Sequence, residues 1–342
     1  MDNNNKDRLF GKTFEELKQI VSEYGLPSYS AAQIAERLYK KGAEDISEIT
    51  GLSKNARRAL SEKYTVGRFD PCRVQVSVDG TKKYLYEPSD GGKSFEAVYI
   101  PDGDRATLCI SSQAGCRMGC RFCMTARFGF KGNLTAGEIL TQIRNLPEFE
   151  RLTNIVYMGM GEPADNIDEV LKSLEILTSD YGFGMSRNRI TVSTIGITEG
   201  LKRFLEESPC RLAVSLHNPF DDERLALIPA QKMSPISEIV SLIRRFDFSK
   251  RRRLSFEYVM FAGINDATRH ADALRKLVAG LECRINLIRF HKIPACDLSP
   301  SDEKTVEKFK NYLNGKGLLT TVRASRGEDI FAACGMLSAS KT

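Results

Sequence analysis

The first information lies in what the sequence lacks. No apolar run approaches the roughly 20 residues needed to span a membrane, and the opening Met1-Asp-Asn-Asn-Asn-Lys-Asp-Arg8 is too polar to read as a secretory leader. Histidine is scarce, with 3 in 342 residues. None of them stands beside the one close group of cysteines, and no second close cysteine pair exists to close a tetrahedral structural zinc site. A large excess of one charge is also missing. The formal balance of +6 permits an RNA partner without demanding one. What is present is ordinary for a soluble globular chain, with 42% hydrophobic and 27% charged residues. The length predicts two domains, or one large domain with an appendage. The 9 cysteines, without secretory features, fit a reducing cytoplasm, where clusters and catalytic thiols outnumber structural disulfides.

Residues 1 to about 68 read as a small helical unit. Phe14, Leu17, Ile20 and Val21 recur at helical spacing until Gly25-Leu-Pro27 breaks the run. A second helix is predicted from about Ala31 to Tyr39 and a third from Ser53 towards Lys63, with Ile46, Ile49 and Leu52 packing between them. Lys40, Lys41, Lys54, Arg57, Arg58 and Lys63 make one surface basic. By itself that is a solvated face; beside a domain acting on RNA it becomes a phosphate-binding surface.

Residues 69–342 form the larger predicted unit. Arg73–Val78 and Lys82–Tyr86 flank Asp79-Gly80, a hairpin signal, and Phe95–Ile100 is a third strand carrying Glu96. From Ala106 the chain alternates strand and helix, with strands at Ala106–Ser111, Asn154–Met158, Arg189–Ser193, Arg211–Leu216, Leu254–Val259 and Arg284–Ile288, and Thr320–Arg323 able to extend the sheet. Thr135-Ala-Gly-Glu138 reads as a capping box. Ile167, Val170, Leu171, Leu174 and Leu177 mark one helix, and Leu274, Leu277, Val278 and Leu281 another. Six alternations imply an α/β fold with parallel strands, as an open doubly wound sheet or a partial barrel.

In such folds ligands collect at the carboxyl ends of the strands. The distinctive residues fall there: Cys116-Arg-Met-Gly-Cys120-Arg-Phe-Cys123 after the first strand and Gly159-Met-Gly161-Glu162-Pro163 after the second. Ser193 and Ser215-Leu216-His217 end the third and fourth, Glu257 lies near the end of the fifth, and His291 follows the sixth. Thiolates select soft metal centres and iron–sulfur clusters, and three on a cubane leave one iron open to a small molecule. An incomplete zinc knuckle or chance clustering stays open on these residues alone. Gly161 can be a turn glycine or a point of close ligand approach, and Glu162 can meet an ammonium group. His217 and His291 are structural hydrogen bonders or cofactor contacts, whereas His270, at a polar helix start, reads as surface. Glu96 reads as the solvent face of its strand, and Cys109 and Cys334 as small buried apolar residues. Cys72, Cys210, Cys283 and Cys296 read as structural, and Lys250-Arg-Arg-Arg253 as a solvated loop or a phosphate contact.

The three-cysteine spacing resembles the signature of radical S-adenosylmethionine (SAM) enzymes. Together with Cys109-Ile-Ser-Ser-Gln-Ala-Gly-Cys116, Gly159-Met-Gly-Glu-Pro163 and Arg326-Gly-Glu-Asp-Ile-Phe-Ala-Ala-Cys334-Gly-Met-Leu337, it resembles the RlmN-type dual-specificity RNA methyltransferases, from about Leu17 to Leu337. The resemblance implies a radical-SAM partial (β/α)6 barrel with a helical N-terminal accessory domain, RNA-binding, and a β extension. Cys116, Cys120 and Cys123 would hold a 4Fe-4S cluster. Gly161, Glu162, Ser193, Ser215, Leu216, His217 and His291 would contact SAM, two molecules of which are used per turnover; many members carry asparagine where His291 stands. Cys334 would carry a methyl group, Glu96 would take the proton from the attacked ring carbon, and Cys109 would release the product by forming a disulfide with Cys334. The implied substrates are an adenosine in the peptidyl-transferase region of 23S rRNA and the adenosine 3′ of the anticodon in tRNA, methylated at carbon-2. An external electron donor of flavodoxin type, action as a monomer and a cytoplasmic location are expected as well. Pro163 favours carbon-2 over the carbon-8 reaction of Cfr-type relatives. A cluster-bearing RNA-binding protein without catalysis is the alternative from another class.

Overall fold

The computed structural model describes residues 6–88, 91–248 and 252–338. Its centre is one ten-stranded sheet. In chain order the strands are β1 (Arg73–Val76), β2 (Lys82–Tyr86), β3 (Phe95–Asp102), β4 (Arg105–Cys109), β5 (Asn154–Tyr157), β6 (Ile190–Thr194), β7 (Arg211–Ser215), β8 (Leu254–Met260), β9 (Cys283–Arg289) and β10 (Thr320–Val322). They lie side by side in that same order. A doubly wound sheet reverses its strand order at a switch point; this one never reverses, so the winding is that of a barrel that stays open. Strands β4 to β10 are parallel, and β1 to β4 pair antiparallel as the β extension. The six parallel strands read from the sequence are β4 to β9, and β10 adds a seventh.

The sequence explains most of the crossovers. Thr135 accepts from the Glu138 N–H while the Glu138 carboxylate takes the Thr135 N–H, the reciprocal cap that opens the helix Ala136–Arg144. The helix Ile167–Thr178 buries Val170, Leu174, Ile176 and Leu177 against the sheet. The Leu274 stripe is shorter than its spacing predicts. The helix Thr268–Leu277 stops at its cap Val278, because Gly280 is left-handed, and Leu281 lies beyond it.

At the N-terminal end the helix Phe14–Glu23 buries Leu17, Ile20 and Val21, and Ser53 caps the helix Lys54–Lys63. The second helix, from Ser30, widens to π-type pairing over Glu36–Lys41. Ile46, Ile49 and Leu52 are buried between the helices. This unit packs on the barrel: Lys172 Nζ lies 2.6 Å from Glu16 Oε1, and Phe14 stacks on Tyr181. Lys40, Lys41, Lys54, Arg58 and Lys63 are exposed, whereas Arg57 is half-buried and donates to the Ser47 carbonyl. Of the basic run 250–253, Lys250 and Arg251 lie outside the described residues. Arg252 is turned inward, donating to the carbonyls of Cys210, Leu205 and Phe204 rather than facing a polyanion. Among the described residues no helix is long and apolar enough to cross a membrane.

Candidate active site

The carboxyl ends of β4 to β9 open into a cavity of about 450 Å³. One wall is the loop after β4. Cys116, Cys120 and Cys123 all line it, and each thiol is pushed up by burial and by the neighbouring thiols, Cys116 to about 12. The loop is braced from outside: Arg117 grips Asp165 with two 2.8 Å bonds, and Arg121 grips Asp297. Arg224, fully buried, donates to the carbonyls of Ser215, Leu216 and Ile195, and its charge faces Cys120. Nothing in the sequence pattern marks Arg224, since a lone arginine within a short helix, Asp221–Leu227, looks like any surface cation.

Gly161 sits at φ 96°, and a Cβ there would come within 2.5 Å of the Gln113 side chain, so only glycine fits this approach. Beside it Glu162 is buried, yet each carboxylate oxygen already accepts a backbone N–H, Oε1 from Ala164 and Oε2 from Ile195. Burial raises its pKa to about 7 against those bonds. The histidines differ. His217, in a left-handed conformation, accepts the Val259 N–H at Nδ1, and burial lowers its pKa to about 3, so it is neutral with its proton on Nε2. His291 is engaged at both nitrogens, Nε2 with Ser325 at 2.8 Å and Nδ1 with Glu328 at 3.0 Å. Ser193 and Ser215 line the cavity too, but Leu216 does not; its side chain is in the core, and its N–H and carbonyl are taken by Glu257 and Arg224.

His270 departs from its surface reading. It is buried because its ring turns back to the Ala267 N–H and sets Nε2 2.9 Å from Glu223, under the Phe220 ring. Glu96 is likewise buried, 3.4 Å from Lys83 Nζ and accepting the Ser338 N–H, and is not among the side chains facing the cavity. Its strand is covered on both faces, so the solvent-face reading fails.

A second wall, adjoining the cysteine loop, comes from the C-terminal segment. Cys334 is exposed to the cavity rather than buried in a core. The segment is tied to the cysteine loop by Met124 N–H to the Gly335 carbonyl, 2.7 Å, and Thr125 Oγ1 to the Leu337 carbonyl, 2.7 Å. It is tied to the β1–β2 turn by Gly327 N–H to Asp79 and by Asp329 to Ser77. Cys109, at the end of β4, faces the same cavity as a free thiol, raised to about 12 by burial and then by Cys334, while Arg323 opposes the shift. Arg323 and Glu257 also line this wall. The sequence pattern places Glu257 near its strand end without a role and Arg323 only in an extending strand.

Against this geometry, residues 110–274 match the radical SAM superfamily, so the barrel is that of a radical SAM enzyme. The helical unit, over residues 8–66, matches the ribosomal RNA large subunit methyltransferase N-terminal domain. The chain is 56% identical to the Parabacteroides distasonis protein named "Probable dual-specificity RNA methyltransferase RlmN", over 98% of each chain. It is 40% identical to the Syntrophus aciditrophicus dual-specificity RNA methyltransferase RlmN, over 98% of this chain and 97% of that one. The crystal structure of a radical SAM methyltransferase from Sphaerobacter thermophilus superposes with a TM-score of 0.90 at 38% identity, covering 98% of this chain and 100% of that one. The chain belongs to the RlmN family of RNA methyltransferases.

Membership of the superfamily implies a 4Fe-4S cluster and SAM. The residues present fit both. Three soft donors, Cys116, Cys120 and Cys123, stand on one cavity wall. Three thiols within eight residues are a soft donor set of the kind that holds iron–sulfur clusters, and the cavity beyond them has room for a nucleoside.

Proposed function

We propose that the chain methylates carbon-2 of adenosine in 23S rRNA, in the peptidyl-transferase region, and in tRNA, 3′ of the anticodon. The observation that carries this reading is the meeting of two remote thiols, Cys109 and Cys334, on the cavity that the three-cysteine loop lines. A binding protein has no use for such a pair; a reaction passing through sulfur needs both. When bound, the cluster and SAM supply a transferable methyl group and, from a second SAM, the 5′-deoxyadenosyl radical that activates it.

The chain's own residues do the rest. Cys116, Cys120 and Cys123 hold the cluster, and Gly161, Glu162, Ser193, Ser215, His217 and His291 line the space for SAM. Leu216 acts by shaping the strand end, since its side chain points into the core. Cys334 takes the methyl on sulfur by displacement and carries it to adenine carbon-2, an aromatic position too poor in electrons for direct transfer. Glu96 accepts the ring proton; its Oε2 also takes the Ser338 N–H, which ties it to the C-terminal segment. The Cys109 thiolate then attacks the Cys334 sulfur and the carbon–sulfur bond to the base breaks; its electron pair stays with the carbon, which takes up a proton to become the methyl group, and the disulfide left behind is reduced by an external donor, of flavodoxin type. Residues 1–68 form the accessory RNA-binding domain, with the exposed lysines towards phosphate; residues 69–342 form the catalytic domain, acting as a monomer in the cytoplasm.

Mass spectrometry of nucleosides from rRNA and tRNA, after expression in a methylation-deficient host, tests the assignment. 2-Methyladenosine in both is the expected result. 8-Methyladenosine without it overturns the carbon-2 assignment, and reconstituted protein that never cleaves SAM overturns catalysis.

A further inference from the structure

The cavity holds a charged side chain that the reaction above does not use. Glu257 is 3% exposed and lies on the cavity wall. One of its carboxylate oxygens, Oε1, is clamped by Ser255 Oγ at 2.9 Å and Asn286 Nδ2 at 2.8 Å. The other, Oε2, is buried with no hydrogen-bond partner among the described residues. Leaving a buried charged acceptor unsatisfied costs several times what an ordinary hydrogen bond contributes, so such an atom calls for a donor from outside the chain.

The strand register says what stands beside it. Ser215, Glu257, Asn286 and Thr321 are neighbours in one row across β7 to β10, hence on one face of the sheet. Arg323, two residues past Thr321, continues on that face, its N–H still bonded to the Leu287 carbonyl. The one hydrogen bond its guanidinium makes among the described residues goes to Met158 Sδ, 3.2 Å away, although the group carries five N–H donors. It is held charged first by Cys334, against burial, and then by Glu257 and Cys109. A spare donor thus shares the cavity with a spare acceptor and lies within electrostatic reach of it and of the two remote sulfurs.

We infer that Glu257 and Arg323 together read the Watson–Crick edge of the substrate adenine, Glu257 Oε2 accepting from the exocyclic amine and Arg323 donating to ring nitrogen N1. This rests on the carbon-2 reading above and deepens it. In adenine the carbon next to N1, on the side away from the amine, is carbon-2. A base read in this order, amine to Glu257 and N1 to Arg323, therefore turns carbon-2 towards Cys334 and Cys109. Reading an unstacked base by its pairing edge is the usual means of selection when chemistry is done on the base. Guanine would set its carbonyl oxygen against the carboxylate and its N1–H against the guanidinium, two repulsive contacts in place of two bonds.

The test uses the cluster-loaded enzyme and a synthetic anticodon stem–loop whose target adenosine is replaced by purine riboside, which lacks the amine, or by 1-deazaadenosine, which lacks N1. For the wild type each replacement lowers kcat/KM and stem–loop affinity by about 10- to 100-fold, the worth of one hydrogen bond to a charged group. Glu257→Ala erases the purine penalty and retains the deaza penalty; Arg323→Gln does the reverse. Iron content and equilibrium SAM affinity report whether each variant is folded and loaded. Variants that are loaded yet keep both penalties overturn the inference. So does a tenfold loss of SAM affinity in Glu257→Ala with the purine penalty intact, which would give the carboxylate to the cofactor's own adenosine. Should Glu257→Ala fail to fold, Glu257→Gln, which keeps the acceptor oxygen but removes the charge, must shrink the purine penalty several-fold; an unchanged penalty again overturns it. Wild type that forms no 2-methyladenosine on the unmodified stem–loop sinks the carbon-2 reading itself, a different outcome from any of these.

Discussion

The two walls of the cavity are built in opposite ways. The cysteine loop brings three thiols together within eight residues, on a turn braced by Arg117–Asp165 and Arg121–Asp297. The adjoining wall takes Cys109 from β4, Glu257 from β8, Arg323 from the end of β10 and Cys334 from the tail, so its members are up to 225 residues apart (109 to 334). A local loop can bind a cluster wherever it is placed; a composite wall exists only when ten strands lie in order. The first kind of site tolerates a poor scaffold, and the second reports on the whole fold.

Ways to break this contrast run from large effects to small. Replacing any one of Cys116, Cys120 or Cys123 by Ala should abolish methylation and SAM cleavage together, with loss of visible absorbance and bound iron on reconstitution. Cys334→Ala, on the other wall, should also abolish methylation yet keep the iron and the ability to cleave SAM. If it loses both, the walls are not separable. Glu96→Gln should lower the methylation rate by at least 100-fold with cluster and SAM binding intact.

Subtler effects come from two buried groups of the SAM space, read in the metal-free chain by urea unfolding. The native pKa of His217 is depressed to about 3 from 6.5, so between those values only the unfolded state binds its proton, and its contribution to stability is present above pH 6.5 and lost as the pH falls. The native pKa of Glu162 is raised to about 7 from 4.5, so in that window only the native state is protonated and stability falls as pH rises. From pH 4.5 to 6.5 the two slopes oppose each other. Relative to wild type, Glu162→Gln should make stability climb with pH, and His217→Asn should make it decline, each by about 1 kcal/mol per pH unit. Parallel slopes in both variants would refute the assignment. The smallest change is expected for His291→Asn, within about threefold in SAM affinity, since the ring's two hydrogen bonds bind it mainly to Ser325 and Glu328.

Legibility in the sequence followed the same division. The β1–β2 hairpin, the Thr135 capping box and the six parallel strands were readable because turn residues, caps and apolar periodicity act over a few residues. The stop of the Leu274 helix was missed because a left-handed glycine, Gly280, outweighed an apolar stripe that continued past it. His270 and Glu96 were misread for a common reason: a polar residue on an element looks solvated until a second element, carrying Glu223 or Lys83, packs over it. Arg252 repeated the error within a basic run, three carbonyls having taken the place of solvent.

Cys116 to Cys123, with which any reading of this chain begins, needed no tertiary structure. Spacing within one turn determines that three soft ligands share a neighbourhood, and the sequence motifs determined the family. What the tertiary structure alone decided is the company those ligands keep. Strand order brought Cys109 and Cys334 to one cavity, and register set Glu257 and Arg323 on one face of the sheet, the first with a free oxygen and the second with spare N–H groups. The physical reason is one of range. Local preferences set by dihedral angles and capping bonds die away within a few residues, whereas burial and hydrogen-bond satisfaction depend on which distant strands the chain has laid side by side.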